Sequence, residues 1–169
     1  KYDAAGWPFE VDLTTFEPRN YDYQMGFVGM QVATGYYIYR EGVETGNNDM
    51  IKKGEAVLNF WASKSQTSLG LPRDWYDPGW WGKTGAFRDG SNLRVNTGGM
   101  ESLIAAWAFA KRSGIEKPEW LDACKRYGDW LIDNQNRDGS YYFSYNHKVI
   151  NAQGKHPVTD SNKFLTICA

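Results

Sequence analysis

Cysteine is scarce in this 169-residue chain: only Cys124 and Cys168 occur, with no CxxC pair and no histidine at zinc-ligand spacing. That excludes a disulfide scaffold and a recognisable zinc site, and both thiols read as small buried side chains. An excess of one charge is missing as well, with 19 basic residues against 20 acidic ones and a net charge of −1. Nucleic-acid binders and polybasic membrane anchors need a positive excess, so neither class is expected. No apolar run approaches the roughly 18 residues of a membrane span, and mean hydropathy is −0.62. HExxH, Walker, GxSxG and dinucleotide glycine patterns are all lacking, and no cofactor or metal is expected. No signal peptide is visible, so the compartment has to follow from function.

What is plentiful is aromatic surface. Eight Trp, 11 Tyr and 8 Phe make 16% of the chain. Aromatic faces on this scale fill a core or line a site for a flat or ring-shaped ligand.

The apolar pattern predicts helices in pairs. Residues 23–41 are apolar nearly all round and interspersed with Gly26, Gly29 and Gly35, which predicts a closely packed inner helix. Asn47 and Asn48 offer a cap for an amphipathic helix over Asp49–Lys64, with Met50, Val57, Leu58 and Trp61 on one stripe. The pair recurs as an Ala-rich helix over 99–112 and an amphipathic helix opened by Pro118. Asp160 and Ser161 then cap the start of a third apolar helix, NKFLTICA. Glycine-then-aromatic turns recur at Gly6, Gly70 and Gly139, 64 and 69 residues apart. A period of this size predicts a helical-hairpin repeat, in which each unit buries its face against neighbours.

The inner and outer helices, with the turn from Gln135 through Asp138, Gly139, Ser140 and Tyr141, resemble the α/α-toroid superfold, in particular the six-hairpin glycosidase-like enzymes. Gln135 to Tyr141 also resembles the QW turn of terpenoid cyclases, with tyrosine in place of tryptophan. The resemblance implies an all-α fold: helical hairpin repeats of an (α/α) toroid, about two hairpins plus part of a third. A six-hairpin barrel needs roughly twice this length at the observed period. The chain starts at Lys1 without Met and stops inside an apolar run. Residues 1–169 are therefore expected to be a single domain cut from a longer (α/α)6-type barrel, inactive in isolation because half the cavity wall is missing.

By the same resemblance, ligands sit beside the outer-to-inner loops, here the long segments 65–97 and 136–160. Long loops are more often functional than idle. The first holds Trp75, Tyr76, Trp80, Trp81 and Phe87 beside Asp74, Asp77, Asp89, Arg88 and Arg94. Sugars present apolar C–H faces and hydroxyl edges, so aromatic platforms edged by carboxylates and guanidinium groups suit them. Trp75, Tyr76, Trp80, Trp81, Arg88 and Arg94 are the candidate substrate-binding residues; the same aromatics also make sense as packing within the loop.

Glycoside hydrolysis needs two carboxyl groups, one protonated and one ionised. Asp74, flanked by Arg73 and Trp75, is the first candidate, followed by Asp89, Asp77 and Asp160, with Glu101 inside an inner helix. Asp89-Gly90 and Asp77-Pro78 read equally as turns, and Asp160-Ser161 as a helix cap. A polysaccharide lyase, needing a base and a neutraliser for a uronate, is the alternative, with Arg88, Arg94, Tyr76, Asn96, His147 and His156 as candidates. A non-catalytic carbohydrate-binding or scaffold protein and a terpenoid-cyclase-like toroid are further alternatives, though no DxDD-type cluster supports the last. The leading expectation is a secreted or periplasmic, glycoside hydrolase-like protein acting on a polysaccharide or oligosaccharide. Sugar, linkage and oligomeric state are left open.

Overall fold

A computed structural model describes residues 4–79 and 85–164. Among these residues the chain forms four helices and eight strands, the strands in three small antiparallel sheets. The expectation of an all-α hairpin repeat is thereby corrected to a mixed fold of helices and sheets. Five of the eight strands lie or begin in the segments 65–97 and 136–160, read as long irregular loops. In chain order these elements are β1 (Glu10–Val11), β2 (Pro18–Asn20), β3 (Tyr23–Gln24), α1 (Gln31–Thr45) and α2 (Asn48–Lys64). There follow β4 (Trp75–Asp77), β5 (Ala86–Phe87), β6 (Gly90–Asn92), α3 (Leu93–Arg112), α4 (Pro118–Asn134), β7 (Tyr141–Asn146) and β8 (Val158–Phe164).

The two expected helix pairs are present. Asn47 caps α2, its side chain accepting from the Asp49 and Met50 amides at 3.1 and 3.3 Å. Gly46, with φ of +71°, ends α1 in the left-handed conformation that only glycine adopts cheaply. The antiparallel α1/α2 hairpin is so close that a Cβ on Gly54 would meet the Tyr39 backbone nitrogen and Cβ at 2.5 and 2.6 Å. Trp120, fully buried, joins the pairs: it meets Tyr39 edge-on at 5.4 Å and donates from Nε1 to Asn59 Oδ1 at 2.7 Å. Lys117, beside it, pairs with Glu55 of α2 at 2.7 Å.

Two helix boundaries differ from expectation. Residues 23–30 are not helical; β3 and a turn stand there, and α1 begins at Gln31. Nor is α1 buried all round, since Tyr37 is exposed. Helix α3 starts six residues earlier than its apolar pattern, at Leu93, because Asn92 caps it by accepting from the Arg94 amide at 3.0 Å. A third helix opened by Asp160 is also corrected: residues 158–164 form β8, and 165–169 lie outside the described residues.

The sheets bind the segments between helices to one another. In β4 the alternation sends Tyr76 inward, against Phe60 of α2 and Phe87 of β5 at 5.1 and 4.9 Å. Strand β3 pairs with β4, so the N-terminal segment is stitched to the segment after α2. Strand β6 pairs with β7, and β7 with β8, which stitches that segment to the one after α4. Tyr145 of β7 meets Trp130 of α4 edge-on at 4.9 Å and roots the third sheet on the helices.

Because the α1/α2 contact has no space for a methyl group, Gly54→Ala is expected to destabilise the protein by about 1–3 kcal/mol, read as a lowered midpoint of thermal or urea unfolding.

Candidate functional site

Asp74 stands at the point where three segments meet. Its carbonyl accepts from the Met25 amide at 2.9 Å. Its carboxylate accepts from the Asn92 amide at 2.7 Å. The next residue, Trp75, accepts from the Arg88 amide at 2.9 Å. The Asp74 side chain is thus fixed from the backbone outward and is only 3% exposed. Burial pushes its pKa up to about 7, against the opposing pull of the Asn92 amide and the Arg88 charge.

Asp74 forms part of the wall of a cavity of about 520 Å³, together with Phe9, Gln24, Phe27, Trp75, Arg88 and Asp160. Asn92, Ser144 and Asp160 lie side by side on β6, β7 and β8 and line the same cavity. Two strand spacings, roughly 10 Å, therefore separate Asp160 from the Asn92 that holds Asp74. Asp160 is half-buried and its Oδ1 accepts from the Asn162 amide at 2.9 Å.

Arg88 is held in place at the cavity wall. Its guanidinium lies 4.1 Å from the centre of the Trp75 ring and donates to Asp22 Oδ2 at 2.5 Å. The same Asp22 oxygen accepts from Trp75 Nε1 at 2.8 Å. Phe9 packs against Trp75 with ring centres 5.4 Å apart. Trp75 is thus already in contact with Arg88 and Phe9, and it positions the guanidinium. A planar fork fixed this way holds its remaining donors in one orientation at the cavity wall.

The other candidates are dispersed. Asp77 accepts from the Gly79 amide at 2.8 Å and serves a turn. Asp89 is exposed, pairs with Lys148 at 3.3 Å, and lines a different cavity of about 500 Å³ with Arg73 and His147. Tyr76 belongs to the aromatic core. Arg94 is exposed and does not line the Asp74 cavity; its guanidinium covers the ring of Phe27, which does, at 4.0 Å. Trp80 and Trp81 lie outside the described residues. Glu101 is exposed, in a groove between α1 and α3.

Asn96 and both histidines are buried structural groups. Asn96 Nδ2 donates to the Pro72 carbonyl at 2.8 Å. Ser91 also donates to that carbonyl, so His147 Nδ1 donates to the Ser91 hydroxyl at 2.9 Å. Burial, with the Arg73 charge, drives the His147 pKa down to about 4. His156 bridges the Val149 carbonyl and Thr67 Oγ1, each at 3.2 Å, and burial lowers its pKa too. Cys124 is half-buried, and burial pushes its thiol pKa up to about 12. Among the described residues, no three of His, Cys, Asp and Glu gather to hold a metal ion, and no helix is long and apolar enough to cross a membrane.

Sequence reasoning passed over Asp22, Phe9, Phe27 and Phe143, which hold Arg88 or line the cavity. Asp22 and Phe27 fall at the edge of, or inside, the segment 23–41 taken as a helix. The glycines flanking Phe27-Val28 were the available signal for a turn there.

No family model matches the chain, and no curated protein matches it. Function is accordingly argued from the chemistry of the cavity.

The raised Asp74 pKa gives a test of stability. The folded protein holds this proton up to about pH 7, whereas an Asp in the unfolded chain releases it near 3.8. Asp74 thus loses stability for the fold as pH rises from 3.8 through about 7. Asp74→Asn is expected to raise Tm relative to the native protein, and by more at pH 8 than at pH 4, as read by differential scanning calorimetry.

Proposed function

We propose that the protein is carbohydrate-active and glycoside hydrolase-like, with Asp74 as the protonated general acid and Asp160 as its ionised partner. The supporting observation is a buried carboxyl with a pKa of about 7 sharing one cavity with a second carboxylate. A departing sugar oxygen needs a proton at the moment the glycosidic bond breaks. Asp74 holds one up to about pH 7 because burial disfavours its charged form. The second carboxylate has to act from across the bond, either on the sugar itself or on a water.

The row Asn92–Ser144–Asp160 brings the second carboxylate to the same cavity. Retaining enzymes hold their carboxyl groups about 5 Å apart, whereas inverting ones leave about 6.5–9.5 Å for a water between them. In the first arrangement Asp160 attacks the anomeric carbon, and in the second it removes a proton from the attacking water; the anomer first released tells the two apart. Arg88, fixed by Trp75 and Asp22, orients the hydroxyls or acid group of the sugar. Phe9, Phe27 and Phe143 offer apolar surface to its C–H face. A polymeric substrate suits a secreted or periplasmic protein.

The decisive experiment is a screen of polysaccharides and oligosaccharides for release of reducing ends, using this chain and any longer polypeptide that contains it. Turnover is expected to fall by about 10²–10⁴ in Asp74→Asn and in Asp160→Asn. Asp89→Asn, altered in a different cavity, is expected to leave turnover unchanged. Equal turnover in native protein and Asp74→Asn would remove the assignment, and a product absorbing as an unsaturated uronate would make it a lyase. In the pH profile, kcat/KM is expected to decline above about pH 7, where Asp74 loses its proton.

A further inference from the structure

Phe27 joins a left-handed backbone to an exposed aromatic side chain, a combination it shares with Phe16, which lies outside the two cavities that Phe27 lines, at φ +58° and 77% exposure. The Phe27 φ of +53° lies in the left-handed region, where a side chain with a Cβ is strained. Its ring is nonetheless 45% exposed to solvent. Met30, three residues on, repeats both features, with a φ of +44° and an exposed side chain. The turn between them is not loose. Gly26 backs onto the Val95 carbonyl and the Gly99 nitrogen of α3, where a Cβ has no room. The Gly29 amide donates to Gln24 Oε1 at 2.9 Å. Glycine at position 27 would relieve the backbone and withdraw apolar surface from water. The Arg94 guanidinium over the ring offsets part of these costs, and strain of this kind gathers at functional sites.

The position of Phe27 accounts for the remainder. Phe27 lines the Asp74 cavity and also a second one of about 330 Å³ between α1 and α3. The second cavity is walled by Tyr36, Tyr37, Glu101 and Ser102 among others. The Tyr36 and Tyr37 rings lie 5.4 Å apart at 30°, and Tyr37 is 61% exposed. Glu101 is exposed and makes no ion pair among the described residues. Aromatic faces beside a carboxylate and a hydroxyl repeat the chemistry of the first cavity. Phe27 is common to both walls, and the Arg94 guanidinium covers its ring at 4.0 Å.

We propose that the α1/α3 groove is a second carbohydrate subsite, joined to the Asp74 cavity across Phe27, so that the ligand is an extended saccharide chain. The proposal rests on reading the Asp74 cavity as a sugar site. Phe27 and Tyr37 stack on successive sugar rings, and Glu101 and Ser102 meet their hydroxyls. The strained turn holds Phe27 at the junction, where a relaxed backbone would let it fold away.

Affinity gel electrophoresis tests this with xylan, mixed-linkage glucan, mannan, pectin and alginate cast separately into native gels. The native protein is expected to be retarded by at least one of them. Phe27→Gly and Tyr37→Ala are expected to weaken that retardation about tenfold, the scale of one aromatic stacking contact. Phe27→Gly should keep a Tm at or above that of the native protein, and Phe27→Trp should restore binding. Loss of binding together with loss of fold in Phe27→Gly would overturn the proposal, since the ring would then be structural. So would retardation unchanged in both variants, or no retardation of the native protein by any polymer. Cleavage is read separately, from reducing ends released from disaccharides. Short substrates cut without polymer binding would sink the subsite and leave the hydrolase reading standing. Polymer binding that depends on Phe27, without cleavage of anything, would do the reverse.

Discussion

The hydrogen bond from the Asn92 amide to the Asp74 carboxylate is the joint on which the site depends. On one side, the Asp74 carbonyl takes the Met25 amide and so fixes the N-terminal segment. On the other, Asn92 caps α3 and begins the row that runs through Ser144 to Asp160. A single buried aspartate, through its carboxyl and its carbonyl, thus connects a helix start, two sheets and the segment that carries Phe27. The helices supply a rigid base: Trp61 and Trp120 are fully buried, and the close α1/α2 contact leaves little freedom. The strands, by contrast, bring together residues that are far apart in the chain.

That joint is costly as a structural device. A backbone amide could be capped by a neutral amide side chain with no ionisable group in the dry interior. Keeping a carboxyl there pushes its pKa towards 7, so near neutrality the fold holds either a proton or a poorly solvated charge. Phe27 shows a parallel conflict, with a strained backbone and an exposed ring where glycine would relieve the backbone. The two costs fall on residues that line the same cavity. Local choices that oppose stability, gathered in one place, mark the part of a protein shaped by something other than folding. His147 is different: its depressed pKa has an ordinary structural cause, a neutral ring donating to Ser91 in the interior.

The helices were largely legible because their signals are local. Asn47 as a cap and Pro118 at a first turn placed α2 and α4 to within about a residue. The first turns of α3 were not legible, since Thr97, Gly98 and Gly99 are poor helix formers and the Asn92 cap overrides them. The strands were missed for a deeper reason. Val158–Phe164 contains Asp160-Ser161 before an apolar run, which imitates a helix cap, and only pairing with Tyr141–Asn146 makes it a strand. Register between distant segments is not written in either segment alone. The same blindness affected the site. Asp74 was singled out from its neighbours Arg73 and Trp75, yet the residues that define its environment, Asn92 and Asp22, come from other elements.

Trp75 shows how structure alters the meaning of a correctly chosen residue. In sequence it is a platform, a broad aromatic face for a sugar. In the fold its ring already meets Arg88 and Phe9, and its indole nitrogen is used by Asp22. Its contribution is therefore to direct a guanidinium, which could otherwise sweep a wide arc of solvent, into a fixed orientation at the cavity wall. In the proposed site the role of platform passes to the exposed side chain of Phe27, a residue with no acidic or basic sequence neighbour to draw attention to it. Residue type alone marks both aromatics as broad apolar faces. Deciding which aromatic touches the ligand and which positions its neighbour requires the contacts that only the folded chain creates.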